Sequence, residues 1–397
     1  MNAQTNQAQP RVSVIIAVYN GGTDLEKCLA AVRASTYPLF ECILVDDAST
    51  DGMVIAAAER HNARVIRLEA QGGPARARNI GVKEAGGDII LFTDADVLLQ
   101  HDTIAVAVNT LQTDEKIAAV IGSYDDQPTH AAFISQYRNL FHHWVHQTGA
   151  DEASTFWTGC GAIRRSVFLE MGGFSQEYRQ PSIEDIELGM RMRRAGYRIR
   201  LLKKMFGKHM KQWGFWNTVR TDILMRGVPW MQLVLSDGKM TNDLNLNYRS
   251  RIATVLAALL AMLVPVLLLT GHGAALLPVT GFLLTAAISA RLFVRPAMQH
   301  GKSLVTIILA LLIPLLAYWL KPDILSMVPV ALLLALVATH QGFYRFVANK
   351  RSMAFAIAVV PMQFVFFLGC AVSIPLALLR HHLGGKPATA DEFSKES

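Results

Sequence analysis

The pattern of apolar and polar residues divides the chain into two halves. From Met1 to about Asn247, short apolar runs alternate with amphipathic stretches, whereas long apolar runs dominate from Ile252 to Leu379. The first pattern is typical of a globular domain, and the second is typical of membrane-spanning helices. We therefore predict one soluble unit followed by one membrane unit.

In the soluble half, predicted strands and helices alternate at short spacing. The run RVSVIIAV is rich in β-branched residues and predicts a buried strand, and TDLEKCLAAVRAS then places its apolar residues on one face of a helix. Further strands are predicted at ECILVDD, ARVIRL and DIILFTDAD, and helices at MVIAAAERH and within GGPARARNIGVKEAGG. This alternation indicates βαβ units and an α/β fold with a mostly parallel sheet.

Polar residues follow three of the predicted strands. Tyr19 follows the first strand, Asp46 and Asp47 end the second, and Asp94 and Asp96 end the last. Because ligands of open α/β sheets bind beyond the carboxyl ends of the strands, we expect these side chains to line one crevice. No GxGxxG motif follows the first strand, which argues against a dinucleotide-dependent oxidoreductase.

Paired carboxylates at strand ends suit either a nucleotide or a divalent metal. Mg²⁺ and Mn²⁺ prefer carboxylate oxygens and would bridge them to a diphosphate. For Asp46 and Asp47, a turn and helix cap within DDASTDG is an equal alternative. Asp94 and Asp96 would repel one another unless a cation or hydrogen-bond donors offset their charge, which favours a cation site there.

Composition limits the partners. The net charge of +7 favours anionic partners such as phosphates or acidic lipid headgroups, but no long basic run indicates nucleic-acid binding. The 4 cysteines lie far apart without a CxxC spacing, so we expect reduced, buried thiols. The stretch MNAQTNQAQP lacks the apolar core of a signal peptide, so the soluble half is expected to stay in the cytoplasm.

Five stretches, in this order, resemble the family 2 glycosyltransferases over roughly residues 11–232. They are VSVIIAVYN, VDDASTDG, GGPARARNIGVKEAGGDIILFTDAD, TGCGAIRRSVFLEMGGF and IEDIELGMRMRRAGY. The resemblance implies a GT-A fold, which is a Rossmann-like α/β domain with a mostly parallel sheet. It also implies a nucleotide sugar as the donor substrate.

The resemblance implies roles for the residues at the strand ends. Tyr19 would contact the nucleotide, and Asp47, with Asp46 beside it, would contact the uracil or the ribose. Asp94 and Asp96 match the DxD pair, so they would hold the sugar nucleotide and its divalent metal, Mg²⁺ or Mn²⁺.

The stretch IEDIELGMRMRRAG resembles the family's ED motif. Asp185 matches the expected general base, and Glu184 could tune or orient it. An inverting transfer requires such a carboxylate to take a proton from the acceptor hydroxyl. The alternative is a helix start that is capped by Ser182 and has acidic residues in its first turn. Arg78 could meet phosphate oxygens or lie on a solvated helix face, and His209 could complete a metal site or lie on the surface.

Two departures from the family pattern matter. Ala17 stands where members often carry proline, which leaves the shape of the first loop open. Processive polysaccharide synthases carry QxxRW, whereas the stretch QWGFW that begins at Gln212 has phenylalanine in place of the arginine. This difference counts against the synthesis of long polymers.

The membrane half contains five apolar runs. They are Ile252–Thr270, Ala274–Ala290, Leu304–Leu320, Ile324–Thr339 and Ala354–Leu379. The fourth run is short enough to be re-entrant, so we expect four or five spans. Cationic residues cluster at alternate junctions between the runs, and the positive-inside rule therefore places the soluble half in the cytoplasm, beneath what we expect to be a bacterial inner membrane.

These patterns predict the following organisation of the chain. The predicted segments are a disordered N-terminus (1–10), a GT-A domain (11–235), interfacial helices and a linker (213–250), transmembrane helices (251–380) and a polar tail (381–397). The predicted function is that of a membrane-bound, metal-assisted, inverting glycosyltransferase. It would move a sugar from a UDP- or GDP-type donor to a lipid or lipid-linked acceptor. The alternatives are a synthase subunit for an extracellular polysaccharide and a non-catalytic membrane protein that binds nucleotide sugars.

Overall fold

The computed structural model describes residues 9–238, 240–292, 325 and 327–383. The chain separates into two compact units. Unit 1 comprises the described residues of Met1–Thr129 and Val145–Lys211, and unit 2 comprises those of His130–Trp144 and Gln212–Lys386. The predicted span Leu304–Leu320 and most of the predicted terminal segments lie outside the described residues.

Unit 1 is built on a mixed sheet of 9 strands, which are covered by helices. The strands are β1 (Val12–Val18), β2 (Phe40–Asp46), β3 (Arg64–Arg67), β4 (Ile89–Asp94), β5 (Val97–Leu99), β6 (Ile117–Tyr124), β7 (Glu152–Ala153), β8 (Cys160–Arg164) and β9 (Arg198–His209). The helices include α1 (Gly22–Arg33), α2 (Met53–Arg60), α3 (Pro74–Lys83), α4 (Thr103–Thr113), α5 (Phe133–Thr148, which continues from unit 2), α6 (Arg165–Glu170) and α7 (Glu184–Arg194). The strand order is β3-β2-β1-β4-β8-β6-β9-β5, and β7 pairs with β9.

The first four strands form the parallel part of the sheet that the sequence predicts. β1 pairs in parallel with both β2 and β4, and β2 pairs in parallel with β3. The residues of β1 are almost all buried, because a parallel sheet of this kind is covered on both faces and its strands are apolar throughout. β8 runs antiparallel to β4 and to β6. The predicted α/β fold class is therefore confirmed, with a mixed sheet in which β6 and β9 also pair in parallel and the other pairings are antiparallel.

The register of the parallel strands brings the predicted site residues to one edge of the sheet. Val18 in β1 lies opposite Asp46 in β2, and Ala17 lies opposite Asp94 in β4. The carboxyl ends of the three strands therefore meet at the same level. This edge is where an open α/β sheet binds its ligands.

Unit 2 is helical. After α8 (Phe215–Arg220), the chain continues without a break through a π-helical segment (Thr221–Gly227) into α9 (Val228–Asp237). The remaining helices are α10 (Tyr248–Leu269), α11 (Leu277–Leu292), α12 (Met327–Thr339), α13 (Gln341–Lys350) and α14 (Met353–His382).

Two of these helices are long and apolar enough to cross a membrane. α10 has 22 residues with a mean hydropathy of 2.8, and α14 has 30 residues with a mean hydropathy of 2.3. α12 and α13 meet at a bend of 69°, and together they would make a third, broken span. The short predicted run Ile324–Thr339 therefore ends at a sharp bend. Within the described residues, this gives two candidate spans, or three if the bent pair is counted.

The π-helical segment packs closely along α14. A Cβ atom on Gly227 would lie 2.2 Å from the Oγ of Ser373, and one on Gly369 would lie 3.1 Å from Ile223. α5 contacts the first half of α14 through Phe133, whose ring centroid is 4.9 Å from that of Phe355. α14 is therefore covered by protein near Phe355 and again around Gly369 and Ser373.

Candidate active site

The loop after β1 and the turn after β2 are joined by short polar contacts. Tyr19 is 47% exposed, so its ring is available to a ligand at the edge of the sheet. Asn20 has a φ of 51°, and its side-chain carbonyl accepts a hydrogen bond from the backbone N–H of Thr50 at 2.8 Å. Asp46 is fully buried, accepts a hydrogen bond from the Ser49 N–H at 2.8 Å and lies 3.3 Å from Arg67.

Asp47 holds the loop that leads into α3. Its two carboxylate oxygens accept hydrogen bonds from the backbone N–H groups of Gly72 and Gly73, each at 2.8 Å. Gly73 has a φ of +84°, and a Cβ atom there would lie 1.9 Å from the carbonyl oxygen of Arg179. Each carboxylate oxygen has a second lone pair, so Asp47 could still accept a hydrogen bond from a ribose or a base.

Arg78 joins two acidic motifs that lie far apart in the sequence. It projects from α3, is 6% exposed, and donates one terminal N–H to Asp94 at 2.7 Å and the other to Glu184 at 2.9 Å. Although burial opposes its charged form, the carboxylates of Asp94, Glu184 and Asp185 raise the pKa of Arg78. The guanidinium therefore stays charged and fixes the DxD acid relative to the start of α7.

Asp185 is the carboxylate with the most perturbed environment in this group. Its Oδ2 accepts hydrogen bonds from the backbone N–H and the hydroxyl of Thr158, at 3.1 and 3.2 Å. Its Oδ1 accepts one from the N–H of Ile186 at 2.8 Å. Burial and the neighbouring Glu184 raise the pKa of Asp185 to about 6, against the opposing effects of Thr158, Arg78 and Ile186.

Asp96 lies beside the end of β9. Its Oδ2 is 3.6 Å from Nε2 of His209, whose ring is stacked on Tyr124 with centroids 4.4 Å apart and planes 4° apart. Burial favours the protonated form of Asp96, but the contact with His209 and the charge of Lys211 outweigh it and lower the pKa of Asp96. The predicted second acid of the DxD pair is thus kept ionised.

Two of the carboxylates at this edge are of the chemical type that binds a divalent cation. Arg78 contacts Oδ1 of Asp94, so Oδ2 of Asp94 and the carboxylate of Asp96 are the oxygens that could bind a metal, with His209 beside them. In the described part of the chain, no three metal-ligating side chains lie close enough together to hold an ion. Mg²⁺ commonly binds proteins through one or two carboxylates and completes its shell with substrate phosphates and water.

The structure therefore brings most of the predicted site residues together. Asp94, Arg78, Glu184 and Asp185 are linked by direct contacts or by charge, and Asp46, Asp47 and Tyr19 lie at neighbouring strand ends. Their roles toward a nucleotide sugar stay predictions.

The alternative interpretation of the ED motif was a helix start capped by Ser182. In the structure, α7 begins at Glu184 with Ile183 at the N-cap position, and its first turn carries Glu184, Asp185 and Glu187. The backbone N–H of Ser182 donates to the Glu184 carboxylate at 2.9 Å, and Arg78 donates to the same carboxylate at 2.9 Å.

Sequence reasoning missed Thr158 and Tyr124. The segment WTGCG was noted only for its resemblance to the family, and Tyr124 lies at the end of a uniformly buried strand. The partner of Thr158 lies 27 residues further along the chain. No local pattern signals such a contact.

Comparison with known proteins finds a family 2 glycosyltransferase domain in the first half of the chain. Residues 13–172 match the family model described as glycosyl transferase family 2, and residues 139–212 match the one described as N-terminal domain of galactosyltransferase. Over 229 residues, the chain is 28% identical to the probable glycosyltransferase YdaM of Bacillus subtilis, with 53% of this chain and 54% of that protein covered. Over 117 residues, it is 34% identical to the glycosyltransferase GlyG of Streptococcus pneumoniae. This alignment covers 28% of this chain and 38% of that protein. The chain thus spans about half the length, or less, of these relatives.

A solved structure supports the fold over most of the chain. The mannosyltransferase PcManGT from Pyrobaculum calidifontis, in complex with GDP-Man and Mn²⁺, matches 93% of this chain and 88% of its own with a TM-score of 0.53. The two sequences are 20% identical, so this likeness concerns the fold. The match over residues 13–172 identifies a family 2 glycosyltransferase domain in this chain, and the solved structure supports a GT-A-like fold.

Proposed function

We propose that this protein is a membrane-bound, metal-assisted, inverting glycosyltransferase. It would move a sugar from a UDP- or GDP-type nucleotide donor to a lipid or lipid-linked acceptor. The observation that carries the proposal is Asp185, a carboxylate with a pKa raised to about 6 that is linked electrostatically to the Arg78–Asp94 ion pair. A base with a pKa near the working pH is ionised at neutral pH and yet retains useful proton affinity.

The donor side is formed by residues at the strand ends. In this proposal Tyr19 contacts the nucleotide, and Asp46 and Asp47 support the loops that surround the base and ribose. Asp94 and Asp96 would hold a divalent metal, which supplies charge neutralisation for the leaving nucleoside diphosphate. Arg78 orients Asp94 through the 2.7 Å contact between their side chains.

The acceptor side is formed by the start of α7. Asp185 would take the proton of the acceptor hydroxyl as its oxygen forms a bond to the anomeric carbon and the bond to the diphosphate breaks. Attack from the face opposite the leaving group inverts the anomeric configuration. Glu184 is engaged by Arg78 and by the N–H of Ser182, so it supports the site and is not itself the base.

The acceptor class is inferred from unit 2. α10 and α14 are candidate membrane spans, so a lipid-anchored acceptor could remain in the bilayer while its polar head reaches the enzyme. The phenylalanine in the QWGFW stretch that begins at Gln212 supports this acceptor over a growing polysaccharide chain.

Donor turnover by the full chain in membranes tests the proposal. Membranes that contain the protein are incubated with Mn²⁺ and a panel of labelled UDP- and GDP-sugars, and label is followed into the organic phase. Asp185→Asn and Asp96→Asn should each lower transfer by about a hundredfold or more. Asp24→Asn is the matched control, because Asp24 is an exposed residue of α1 that pairs with Lys27.

Each result distinguishes the candidate functions. Label in the organic phase, lost in both site variants, supports the proposal. Label in a water-soluble or insoluble polymer would instead favour a polysaccharide synthase. Donor binding without turnover of any donor would favour a non-catalytic role, and full turnover by both site variants would refute the assignment of the site.

A further inference from the structure

The side chain of Thr158 hydrogen-bonds to Asp185, the proposed base. It is 4% exposed, and both its N–H and its hydroxyl donate to the same oxygen, Oδ2 of Asp185. Oδ1 accepts a hydrogen bond from the N–H of Ile186, so both oxygens of the Asp185 carboxylate are hydrogen-bonded. The plane of the carboxylate is therefore fixed.

The loop that carries Thr158 is itself anchored to the sheet. The carbonyl of Gly159, the next residue, accepts a hydrogen bond from the buried hydroxyl of Thr93 at 3.3 Å. Thr93 directly precedes Asp94 and pairs across the sheet with Cys160. The position of Thr158 is thus fixed relative to β4, the strand that ends in the DxD pair.

A glycine allows α7 to approach this loop. Gly189 lies one helical turn after Asp185 on the same face of α7, and a Cβ atom there would lie 2.1 Å from the backbone N of Phe156 and 2.5 Å from the carbonyl carbon of Thr155. Glycine inside a helix is unfavourable by about 1 kcal/mol relative to alanine, so its presence here has a packing reason. Helix and loop meet at backbone contact distance, and Thr158 reaches Asp185 because of it.

We propose that Thr158 is a positioning residue for the base Asp185, and that its hydroxyl aims the carboxylate and stabilises the ionised form. The inference rests on the proposed function, because it needs Asp185 to be the base. The other charged groups that face Asp185 are Glu184 on the same helix and Arg78 on α3. Neither donates a hydrogen bond to its Oδ2, so the Thr158 hydroxyl has a separable effect.

Substitution of Thr158 tests this role. Thr158→Val keeps the shape and removes the hydroxyl, so we expect kcat to fall about tenfold or more with little change in the donor KM. The acid limb of the kcat/KM profile should move to higher pH, because a donor to the ionised carboxylate is lost. Thr158→Ser should restore both properties toward wild type.

The control is Thr155→Val, in the same buried loop but with a side chain that donates no hydrogen bond to Asp185. Its kcat and pH profile should match those of wild type. Thermal melting accompanies every variant, and Thr158→Ala serves as a second test if the valine variant fails to fold.

Two results would overturn the inference. One is a Thr158→Val enzyme with the wild-type kcat and acid limb. The other is a Thr158→Ser enzyme as impaired as the valine variant, since that would make packing the only role. If Asp185→Asn abolishes turnover and Thr158→Val is silent, this inference fails while the proposed function stands. If Asp185→Asn retains turnover, the proposed function itself fails.

Discussion

At the scale of one residue, burial changes the pKa of Asp185 and therefore the pH range in which it can act as a base. Because its pKa is raised to about 6, the carboxylate is protonated below that pH and ionised above it. Only the ionised form can accept the proton of an acceptor hydroxyl. We therefore expect kcat/KM to rise with pH through about 6 and to level off above pH 7, measured at saturating metal. An acid limb at the ordinary carboxyl value near 4 would contradict this prediction.

The burial of Asp185 also affects stability. Ionisation of this carboxyl is expected to increase activity but to decrease the stability of the fold. The pKa of Asp185 is higher in the folded protein than in the unfolded chain, so the stability that this carboxyl contributes is complete at acid pH and declines as pH rises through 6. Asp185→Asn should thus raise the free energy of unfolding at pH 7.5 by on the order of 1 kcal/mol, while abolishing transfer.

Melting of the two proteins at pH 7.5 and pH 5 measures this effect. The advantage of the asparagine variant should shrink at pH 5, where the wild-type carboxyl is mostly protonated. Asp24→Asn, at a position on the surface of α1 beside Lys27, serves as the reference variant. An asparagine variant that is less stable at pH 7.5 would mean that the hydrogen bonds from Thr158 outweigh the burial of charge.

Individual residues also show where sequence reasoning reaches its limit. Asp94 could be singled out because an acid after an apolar strand is a local pattern, whereas Asp185 was identified through the resemblance to the ED motif. The bond from Arg78 to Glu184 joins positions 106 residues apart, and it decides that the guanidinium faces inward. Sequence alone left Arg78 equally open to a phosphate or a solvated face, because only the tertiary fold brings its partner near.

At the scale of elements, the start of α3 depends on an unusual backbone conformation. Gly73 has a φ of +84° and a ψ of 165°, a region almost restricted to glycine, and it touches the carbonyl of Arg179. We expect Gly73→Ala to lower the free energy of unfolding by about 3 kcal/mol or more. Because α3 carries Arg78, the affinity for the donor should fall as well.

Gly52 provides the matched control for this prediction. It precedes α2 with a φ of +65°, and no atom lies within 4 Å of a Cβ built there. Gly52→Ala should therefore cost only about 1 kcal/mol, the penalty of the left-handed conformation itself. Equal losses of stability in the two variants, from thermal or denaturant unfolding, would show that the contact with Arg179 is unimportant.

A second element-scale feature is the buried ion pair of the π-helical segment. Arg138 on α5 and Asp222 share two contacts of 2.9 Å, both side chains are 10% exposed, and the guanidinium lies 5.2 Å from the ring centroid of Trp213. Removing one partner leaves a buried charge, so Arg138→Met should destabilise the protein by about 3–5 kcal/mol. The double variant with Asp222→Leu should recover most of this loss.

A double-mutant cycle of thermal melts in detergent checks this prediction. Full additivity of the two single changes would contradict it, because it would show that the pair is not coupled. The π-helical geometry itself was not predicted. It ends at Gly227, just before Pro229, which has no N–H to donate, and Gly227 packs against Ser373, which lies far away in the sequence.

At the scale of the molecule, the apolar pattern of the sequence predicted where the strands lie. It did not predict the direction in which each strand runs in the sheet. Runs of β-branched residues located β1, β2 and β4, whose burial leaves little choice of conformation. That β8 runs antiparallel between β4 and β6 depends on long-range pairing, and CGAIR contains nothing that specifies it. Likewise, an apolar run predicted α14, but it did not predict that α5 packs near Phe355 and that the π-helical segment packs around Gly369 and Ser373.

The orientation of unit 2 follows from length and charge together. α10 has 22 residues, or about 33 Å of helix, which matches the roughly 30 Å hydrocarbon layer. Arg249 and Arg251 lie at its first end, whereas the stretch TGHG after its other end carries no cation. By the positive-inside rule, we expect His272 outside and the Lys350–Arg351 junction in the cytoplasm.

Cysteine labelling in intact cells tests this orientation. Because Cys28, Cys42 and Cys160 are buried in unit 1 and Cys370 lies within a candidate span, the native thiols should contribute little background. A membrane-impermeant maleimide should label His272→Cys in intact cells and Lys350→Cys only after permeabilisation, since both positions are exposed on the protein. The reverse pattern would place the proposed active site on the side away from the cytoplasmic nucleotide sugars. The proposed function would then lose its source of donor, whatever the geometry around Asp185.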